Sequence, residues 1–170
     1  MGMEPENIVE LSELRNQTRI FQDREHAARV LTQMLKAYYE DTSASVLAIP
    51  AGIETQEKVR RRSSLFQTDQ ALETLSGGPA ILVGDGLASG FTMYVAVEAL
   101  LNKSSSQVVV AVPTGPSHTV QRIAANVNRI YCANIRSGIS FAVADAYRHW
   151  SDVTEEEALK LFGQPSTQGF

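Results

Sequence analysis

The stretch "AILVGDGLASGFTM", residues 80–93, decides the fold because it joins an apolar strand to a helix through a glycine-rich loop. Its opening residues are all apolar, after which Gly84, Asp85 and Gly86 interrupt the run and "LASGFT" leads into helix-forming residues. Neither core packing nor solubility requires glycines, an acid and hydroxyls at the mouth of a buried strand. The pattern therefore indicates a ligand-binding loop.

A loop of this kind gathers backbone N–H groups near the positive end of a helix dipole, which favours a phosphate-sized anion. Gly90 lets the backbone approach a ligand closely and is a candidate for positive φ, while Ser89 and Thr92 add hydroxyl donors. Asp85 repels a phosphate, so its candidate partners are sugar hydroxyls, a metal ion or a neighbouring N–H group. A sugar phosphate satisfies both the anion cradle and the carboxylate.

The alternative is that the glycines only form a tight strand-to-helix turn, with Asp85 and Thr92 capping the helix. Phosphate binding is favoured over this alternative. The spacing nevertheless fits neither the dinucleotide-binding pattern G-x-G-x-x-G nor a Walker loop, which needs Gly-Lys-Ser/Thr.

Strands and helices alternate along the rest of the chain. Four helices are predicted: after the N-cap Asp23, over about 92–102, after "TGPS", and after a capping box of Thr154 and Glu157. Four strands are predicted, at 46–49, 81–83, 107–112 and "RIYCANI". The strands lack a polar-apolar rhythm, which predicts an α/β fold: one doubly wound parallel sheet with helices on both faces. Residues 50–52, 84–91 and 113–117 should converge on one rim, where such sheets bind ligands.

Composition narrows the class of protein. The 170 residues suit a single domain, and 44% apolar with 20% charged residues exclude wholesale disorder. A net charge of −4 argues against a general nucleic-acid or membrane-surface binder. Because the chain has no run of spanning length, no secretion-signal layout and only Cys132, we expect a cytoplasmic protein without internal disulfides. Residues 1–20 are weakly patterned and predict an arm or extended segment before a domain at 21–170.

The loop "ILVGDGLASGFTM" resembles the 5-phosphoribosyl-1-pyrophosphate (PRPP) motif of type I phosphoribosyltransferases, a strand followed by two acids and a Thr/Ser-Gly-x-Thr loop. "FQDREHAARVL", "VLAIPAGI", "VVVAVPTGPSHTVQRI" and "YRHWSDVTEEEALKL" extend the resemblance over nearly all the chain from Phe21. It implies the doubly wound fold and a ligand such as PRPP or a nucleoside monophosphate. The implied reaction displaces pyrophosphate from ribose C1 by a nitrogenous base, with substrate-bound magnesium assisting.

The resemblance also assigns roles to residues. Asp85 would bind the ribose hydroxyls, supporting a hydroxyl-bound magnesium, and is the one candidate catalytic residue; no protein-held metal site is implied. The loop that normally cradles pyrophosphate matches Pro50, Ala51, Gly52 and Ile53. The 5′-phosphate would be bound through the backbone amides of Leu87, Ala88, Ser89, Gly90, Phe91 and Thr92, with Ser89 and Thr92 adding hydroxyls. Gly86 is a further candidate substrate-binding residue.

Three departures from the family pattern leave the function open. Gly84 stands in place of the first acid, and Ala51 and Ile53 replace the arginine and second glycine of the pyrophosphate loop. "PAGIETQEKVRRRSSLFQ" also runs directly into what resembles a later helix, so the strand and hood of the relatives are missing. The hypotheses are a phosphoribosyltransferase, a non-catalytic ribose-phosphate-binding module, and a structural relic that pairs with another subunit. Exposed helices on such folds often build dimers, so a homodimer is a further expectation.

The other reactive side chains predict structural roles. His26, His118 and His149 have no metal-ligand partner at helical spacing, which favours surface or capping roles. Cys132 is predicted to be a small buried residue rather than a reactive thiol. The aromatic residues Tyr147 and Trp150 resemble the family's C-terminal aromatics and are expected to pack there, with one of them a candidate to border the pocket.

Overall fold

The computed structural model describes residues 5–49, 77–102 and 107–151. Its described strands form one sheet in the order β1-β5-β4-β3-β2, in which every neighbouring pair is parallel. The strands are β1 Ile8–Val9, β2 Ser45–Ala48, β3 Pro79–Val83, β4 Gln107–Pro116 and β5 Arg129–Arg136. The α-helices within these ranges are α1 Arg24–Met34, α2 Phe91–Leu101 and α3 Ser117–Ala124, and short 3-10 helices lie at Ser12–Leu14, Lys36–Tyr38 and Val143–Ala146. The prediction of an α/β fold with a parallel sheet is confirmed.

Successive strand residues point to opposite faces of the sheet. In this protein, helices pack against both of these faces. On one face, Leu31 of α1 packs in a cluster with Val109 and Tyr131. On the other face, Val97 of α2 and Ile123 of α3 pack in a larger cluster whose buried strand residues are Ala80, Leu82, Val108, Val110, Val112, Ile130, Cys132 and Ile135. Both sides of the central strands are therefore apolar, which explains why their sequences lack alternation. Cys132 is fully buried, as predicted, and burial raises the pKa of its thiol.

Helix α1 begins where the sequence predicts. The side chain of Asp23 accepts a hydrogen bond of 2.8 Å from the His26 amide, and the His26 ring nitrogen Nδ1 accepts one of 3.1 Å from the Gln22 amide. His26 thus takes the capping role expected of it. The apolar spacing from Ala27 to Tyr38 predicts one helix of about four turns. The structure instead ends the helix at Met34 and places Tyr38 in a separate 3-10 helix.

The described part of the N-terminal segment, from residue 5 onward, is bonded to the sheet and is therefore not a loose arm. Its strand β1 pairs with β5, and the Ile130 amide donates to the Asn7 carbonyl at 2.9 Å. The Asn7 side-chain amide donates to the carbonyls of Ala124 and Val127 at 2.8 and 2.9 Å. A two-residue edge strand carries no readable periodicity, which is why the sequence predicts only an arm or extended segment here.

Strand β4 runs on to Pro116, four residues past its predicted end at 112, so the predicted end of this strand is wrong. Beyond Ala111 the strand pairs with β5 only, and Thr114 lies opposite Asn134. Their buried side chains share a hydrogen bond of 2.7 Å, donated by the Thr114 hydroxyl. Proline lacks a ladder donor, and it is tolerated at Pro113 because the strand here has a single neighbour.

Some predictions concern parts of the chain that are not described. The capping box of Thr154 and Glu157, the charged stretch after Ile53 and the pyrophosphate-type loop at Pro50, Ala51, Gly52 and Ile53 all lie outside the described residues. Among the helices that are described, none has both the length and the apolar character needed to cross a membrane.

Candidate functional site

The loop between β3 and α2 lies at the carboxyl end of the sheet, against the end of β4. The Gly84 amide donates to the Ala111 carbonyl at 3.3 Å, and the Leu87 amide donates to the Thr114 carbonyl at 2.8 Å. Two of the three segments expected at this rim, 84–91 and 113–117, are therefore in direct contact. Because the Leu87 amide is already bonded, it is not available to a ligand in this conformation, and the Leu87 side chain is buried in the core.

Two loop glycines are required by close packing. A Cβ built on Gly86 would lie 2.6 Å from Val143 Cγ1, and one on Gly90 would lie 2.5 Å from Thr119 Cγ2. Gly90 also has a φ of +72°, which other residues rarely adopt. Gly84 differs from both, since the nearest atom to its Cβ position is Met93 Cε at 3.5 Å. A Cβ at Gly84 would therefore meet only ordinary contacts, with Met93 and Val112 as its nearest side chains.

The N-terminus of α2 has no side-chain cap. Gly90 occupies the N-cap position, and the nearest substitute for a cap is a long contact of 3.4 Å from the Phe91 amide to the Ser89 hydroxyl. Within the described part of the chain, no acceptor takes the N–H groups of Ala88, Ser89, Gly90 or Thr92. The alternative in which Asp85 and Thr92 cap the helix is thus not what the structure shows.

Two side chains of α3 set the direction of these amides. The Thr119 hydroxyl donates to the Ala88 carbonyl at 3.2 Å, and the Arg122 guanidinium donates to the Ser89 carbonyl. The described peptide bonds are trans, so each N–H points opposite to the carbonyl that precedes it. The N–H groups of Ser89 and Gly90 therefore both point away from α3. Both donors therefore lie on the side of the loop opposite α3, at the N-terminus of α2, and N–H groups at a helix N-terminus can bind an anion.

The Asp85 side chain belongs to the same loop, before Ser89 and Gly90 in the chain, and is 18% exposed. Its Oδ2 atom accepts hydrogen bonds from Nε and one terminal nitrogen of Arg24, both at 3.3 Å. The Tyr147 hydroxyl donates to the Asp85 main-chain carbonyl at 2.6 Å. Burial, and secondarily the Asp85 charge, raise the pKa of Tyr147, so its hydroxyl keeps its proton and remains a donor.

The C-terminal aromatic residues complete the surroundings of Asp85. The Arg24 guanidinium stacks 4.0 Å from the centre of the Trp150 ring and also donates to the Ser151 carbonyl. The rings of Trp150 and Tyr147 lie 5.0 Å apart, and Phe21 packs 5.6 Å from Tyr147 on the other side. Both aromatics named from the sequence therefore pack at the loop that carries Asp85.

The site contains residues that the sequence did not single out, namely Arg24, Arg122 and Thr119. Arg24 is 61 positions from Asp85 and follows an ordinary N-cap, so no local pattern marks it. Arg122 and Thr119 lie in α3, where the apolar periodicity of the sequence predicts a helix but does not mark either residue as part of a binding site. Of the predicted ligand-binding residues, Ala88, Ser89 and Phe91 are exposed, Thr92 is half-buried, and Gly90 is buried.

Known proteins resemble this chain over part of its length. Two curated relatives from Mycobacterium tuberculosis, strains CDC 1551 / Oshkosh and ATCC 25618 / H37Rv, are 29% identical over 102 residues. The match covers 60% of this chain but 23% of each relative, and the second is named "Putative phosphoribosyl transferase Rv0571c". No family model matches the chain.

A solved structure resembles the chain more completely. TT1426 from Thermus thermophilus aligns with a TM-score of 0.60 at 19% sequence identity, over 81% of this chain and 94% of that chain. At this level of identity the likeness concerns the fold, and it agrees with the parallel α/β sheet described above.

Proposed function

We propose that this chain binds a ribose 5-phosphate group, as carried by PRPP or a nucleoside 5′-monophosphate, at the loop between β3 and α2. The observation that carries the proposal is the pair of N–H donors at Ser89 and Gly90 that face away from α3, on the same loop as the carboxylate of Asp85. The names of the two mycobacterial relatives and the resemblance of the loop to the PRPP motif support the same ligand class.

Each part of such a ligand has a partner among the described residues. The phosphate would accept from the amides of Ser89 and Gly90, with Thr92 adding its hydroxyl where the positive end of the α2 dipole lies. The ribose hydroxyls would donate to Asp85. Tyr147 holds the main chain of Asp85 through its hydroxyl, so the carboxylate is oriented before the ligand arrives.

In the transferase form of the proposal, a nitrogenous base attacks ribose C1. The new C–N bond forms as the C1–O bond breaks, pyrophosphate leaves with the electron pair, and the base loses its proton. The chain's own part is positioning and charge stabilisation rather than a covalent nucleophile. The loop assigned to pyrophosphate, Pro50 to Ile53, remains a sequence prediction.

The transferase form of the proposal includes magnesium, but the described residues do not suit an ion that is held by the protein itself. They contain no group of three His, Cys, Asp or Glu side chains that could hold a metal, and Asp85 is paired with Arg24. Mg²⁺ prefers several oxygen ligands in octahedral geometry. Any magnesium in the reaction would therefore enter bound to the pyrophosphate of PRPP, as part of the substrate.

A second candidate is a binding module without turnover. It is favoured by Gly84, which stands in place of the first acid of the family pattern, and by the loss of the arginine at Ala51. Such a module keeps the phosphate and ribose contacts but does not stabilise departing pyrophosphate.

Calorimetric titration with ribose 5-phosphate, AMP and PRPP tests the shared proposal, with ribose lacking phosphate as the control ligand. We expect ribose 5-phosphate to bind and Asp85→Asn to weaken binding about 10- to 100-fold, because a bond to a charged acceptor contributes about 1.5–3 kcal/mol. Glu98→Gln, a change at an exposed acid of α2, is the matched control. Failure of all three phosphorylated ligands would overturn the proposal.

A measurement of catalytic turnover distinguishes the transferase from the non-catalytic binding module. Pyrophosphate release from PRPP is measured across a panel of purine and pyrimidine bases. Release that depends on a base supports the transferase, whereas binding without release from any base supports the non-catalytic module.

A further inference from the structure

We propose that Arg24 is the built-in countercharge of Asp85, so that ribose phosphate binds at this loop without a divalent cation. The inference rests on the proposed function for its ligand. It adds a residue and a charge state that neither the sequence pattern nor the names of the relatives assign.

The contact between the two side chains is specific. Two nitrogens of the Arg24 guanidinium reach the same oxygen of Asp85 at 3.3 Å, and the two side chains are 29% and 18% exposed. Partial burial weakens solvent screening, so this pair interacts more strongly than an exposed one. Arg29 and Glu25 on the same helix show the contrast, since their paired side chains are 68% and 74% exposed.

Arg24 is also held in place from its other side. Its guanidinium lies 4.0 Å from the centre of the Trp150 ring and donates to the Ser151 carbonyl. Stacking on the aromatic face and the hydrogen bond both restrict the side chain, so the charge does not have to be recruited when the ligand binds.

A carboxylate with this partner is a weak site for a cation. With Gly84 in place of an acid, Asp85 supplies the only negative charge of residues 84 and 85, and the charge of Arg24 opposes it. A divalent cation then meets no net attraction from the pair and is repelled by the guanidinium. Sugar hydroxyls are affected differently, because a carboxylate offers about four acceptor positions and remains ionised beside arginine.

The experiment measures the affinity of the full chain for ribose 5-phosphate in excess MgCl₂ and again in EDTA. We expect the two dissociation constants of the wild type to agree within about twofold. In Arg24→Gln, binding in EDTA should weaken about tenfold or more and MgCl₂ should restore part of it, because Asp85 has lost its countercharge. Arg29→Gln, from the exposed pair on the same helix, should behave as the wild type.

Two results overturn the inference: a wild-type affinity that depends strongly on MgCl₂, or an Arg24→Gln variant whose response to MgCl₂ equals that of the wild type. Binding of Mn²⁺ alone, followed by electron paramagnetic resonance, keeps the inference testable if no ribose phosphate binds at all. In that case the proposed function fails. Wild-type protein that leaves Mn²⁺ free then supports the countercharge, whereas bound Mn²⁺ that is lost in Asp85→Asn overturns it.

Discussion

The hydroxyl of Tyr147 donates a hydrogen bond of 2.6 Å to the main-chain carbonyl of Asp85, which lies 62 positions earlier in the chain. Tyr147 is 4% exposed and packs between Phe21 and Trp150. This single bond connects the C-terminal aromatic cluster to the loop that holds the proposed ligand. It explains how a glycine-rich loop can present a carboxylate in a fixed position.

Tyr147→Phe should lower the free energy of unfolding by about 1–2 kcal/mol, since it removes one hydrogen bond and leaves a part-buried carbonyl without its donor. Urea denaturation measures the change. Tyr39→Phe is the matched control, because the Tyr39 hydroxyl also donates to a main-chain carbonyl at 2.6 Å but the residue is 58% exposed. We expect that control to cost less than about 0.5 kcal/mol, and equal losses in the two variants would contradict the role given to Tyr147.

Gly90→Ala should destabilise the fold by about 2–4 kcal/mol and abolish ribose phosphate binding. The new methyl group would require a left-handed backbone and would lie 2.5 Å from Thr119 Cγ2. Gly84→Ala is the control, because its methyl group meets no atom closer than 3.5 Å, and it should cost less than about 1 kcal/mol. Thermal unfolding of both variants separates them, and a tolerant Gly90→Ala would argue against the described loop.

Gly84→Asp should restore the acid that the phosphoribosyltransferase pattern has at this position. The backbone of Gly84 is not in the left-handed region and its Cβ position is open, so the variant should fold. Two adjacent carboxylates outweigh the charge of Arg24, and we expect Mn²⁺ or Mg²⁺ binding to appear. Electron paramagnetic resonance with Mn²⁺ detects it. A Gly84→Asn variant of similar size should show no such gain.

Alkaline pH should destabilise the wild type more than Tyr147→Phe. The pKa of Tyr147 is raised in the folded protein, chiefly by burial, so the native state holds a proton that the unfolded state releases. Stability is therefore complete below the ordinary tyrosine pKa of about 10 and declines as the pH rises above it. Urea midpoints over this range test the sign, and Cys132→Ala in both backgrounds removes the similar effect of the buried thiol. If the stability of the wild type and that of Tyr147→Phe decline equally with rising pH, the prediction is contradicted.

Local patterns in the amino-acid sequence predicted the architecture and the position of the loop. Apolar strands without polar alternation predicted a parallel sheet with two covered faces, because side-chain burial on both sides demands that composition. The Asp23 cap and the glycine loop were also readable, since capping and backbone conformation depend on residues a few positions apart. The sequence did not predict the strand at Ile8–Val9, because two residues are too few to show periodicity. It also predicted too early an end for β4, because Pro113 normally interrupts a strand.

Only the tertiary structure decided what surrounds Asp85. Its contacts with Arg24 and Tyr147 join residues 61 and 62 positions apart, and the amide directions at Ser89 and Gly90 depend on side chains from α3. No periodicity encodes such contacts, because they arise when separate elements pack on the same edge of the sheet. The sequence could therefore show that an acid stands at a phosphate-type loop, whereas its neutralisation by an arginine follows from how the helices dock.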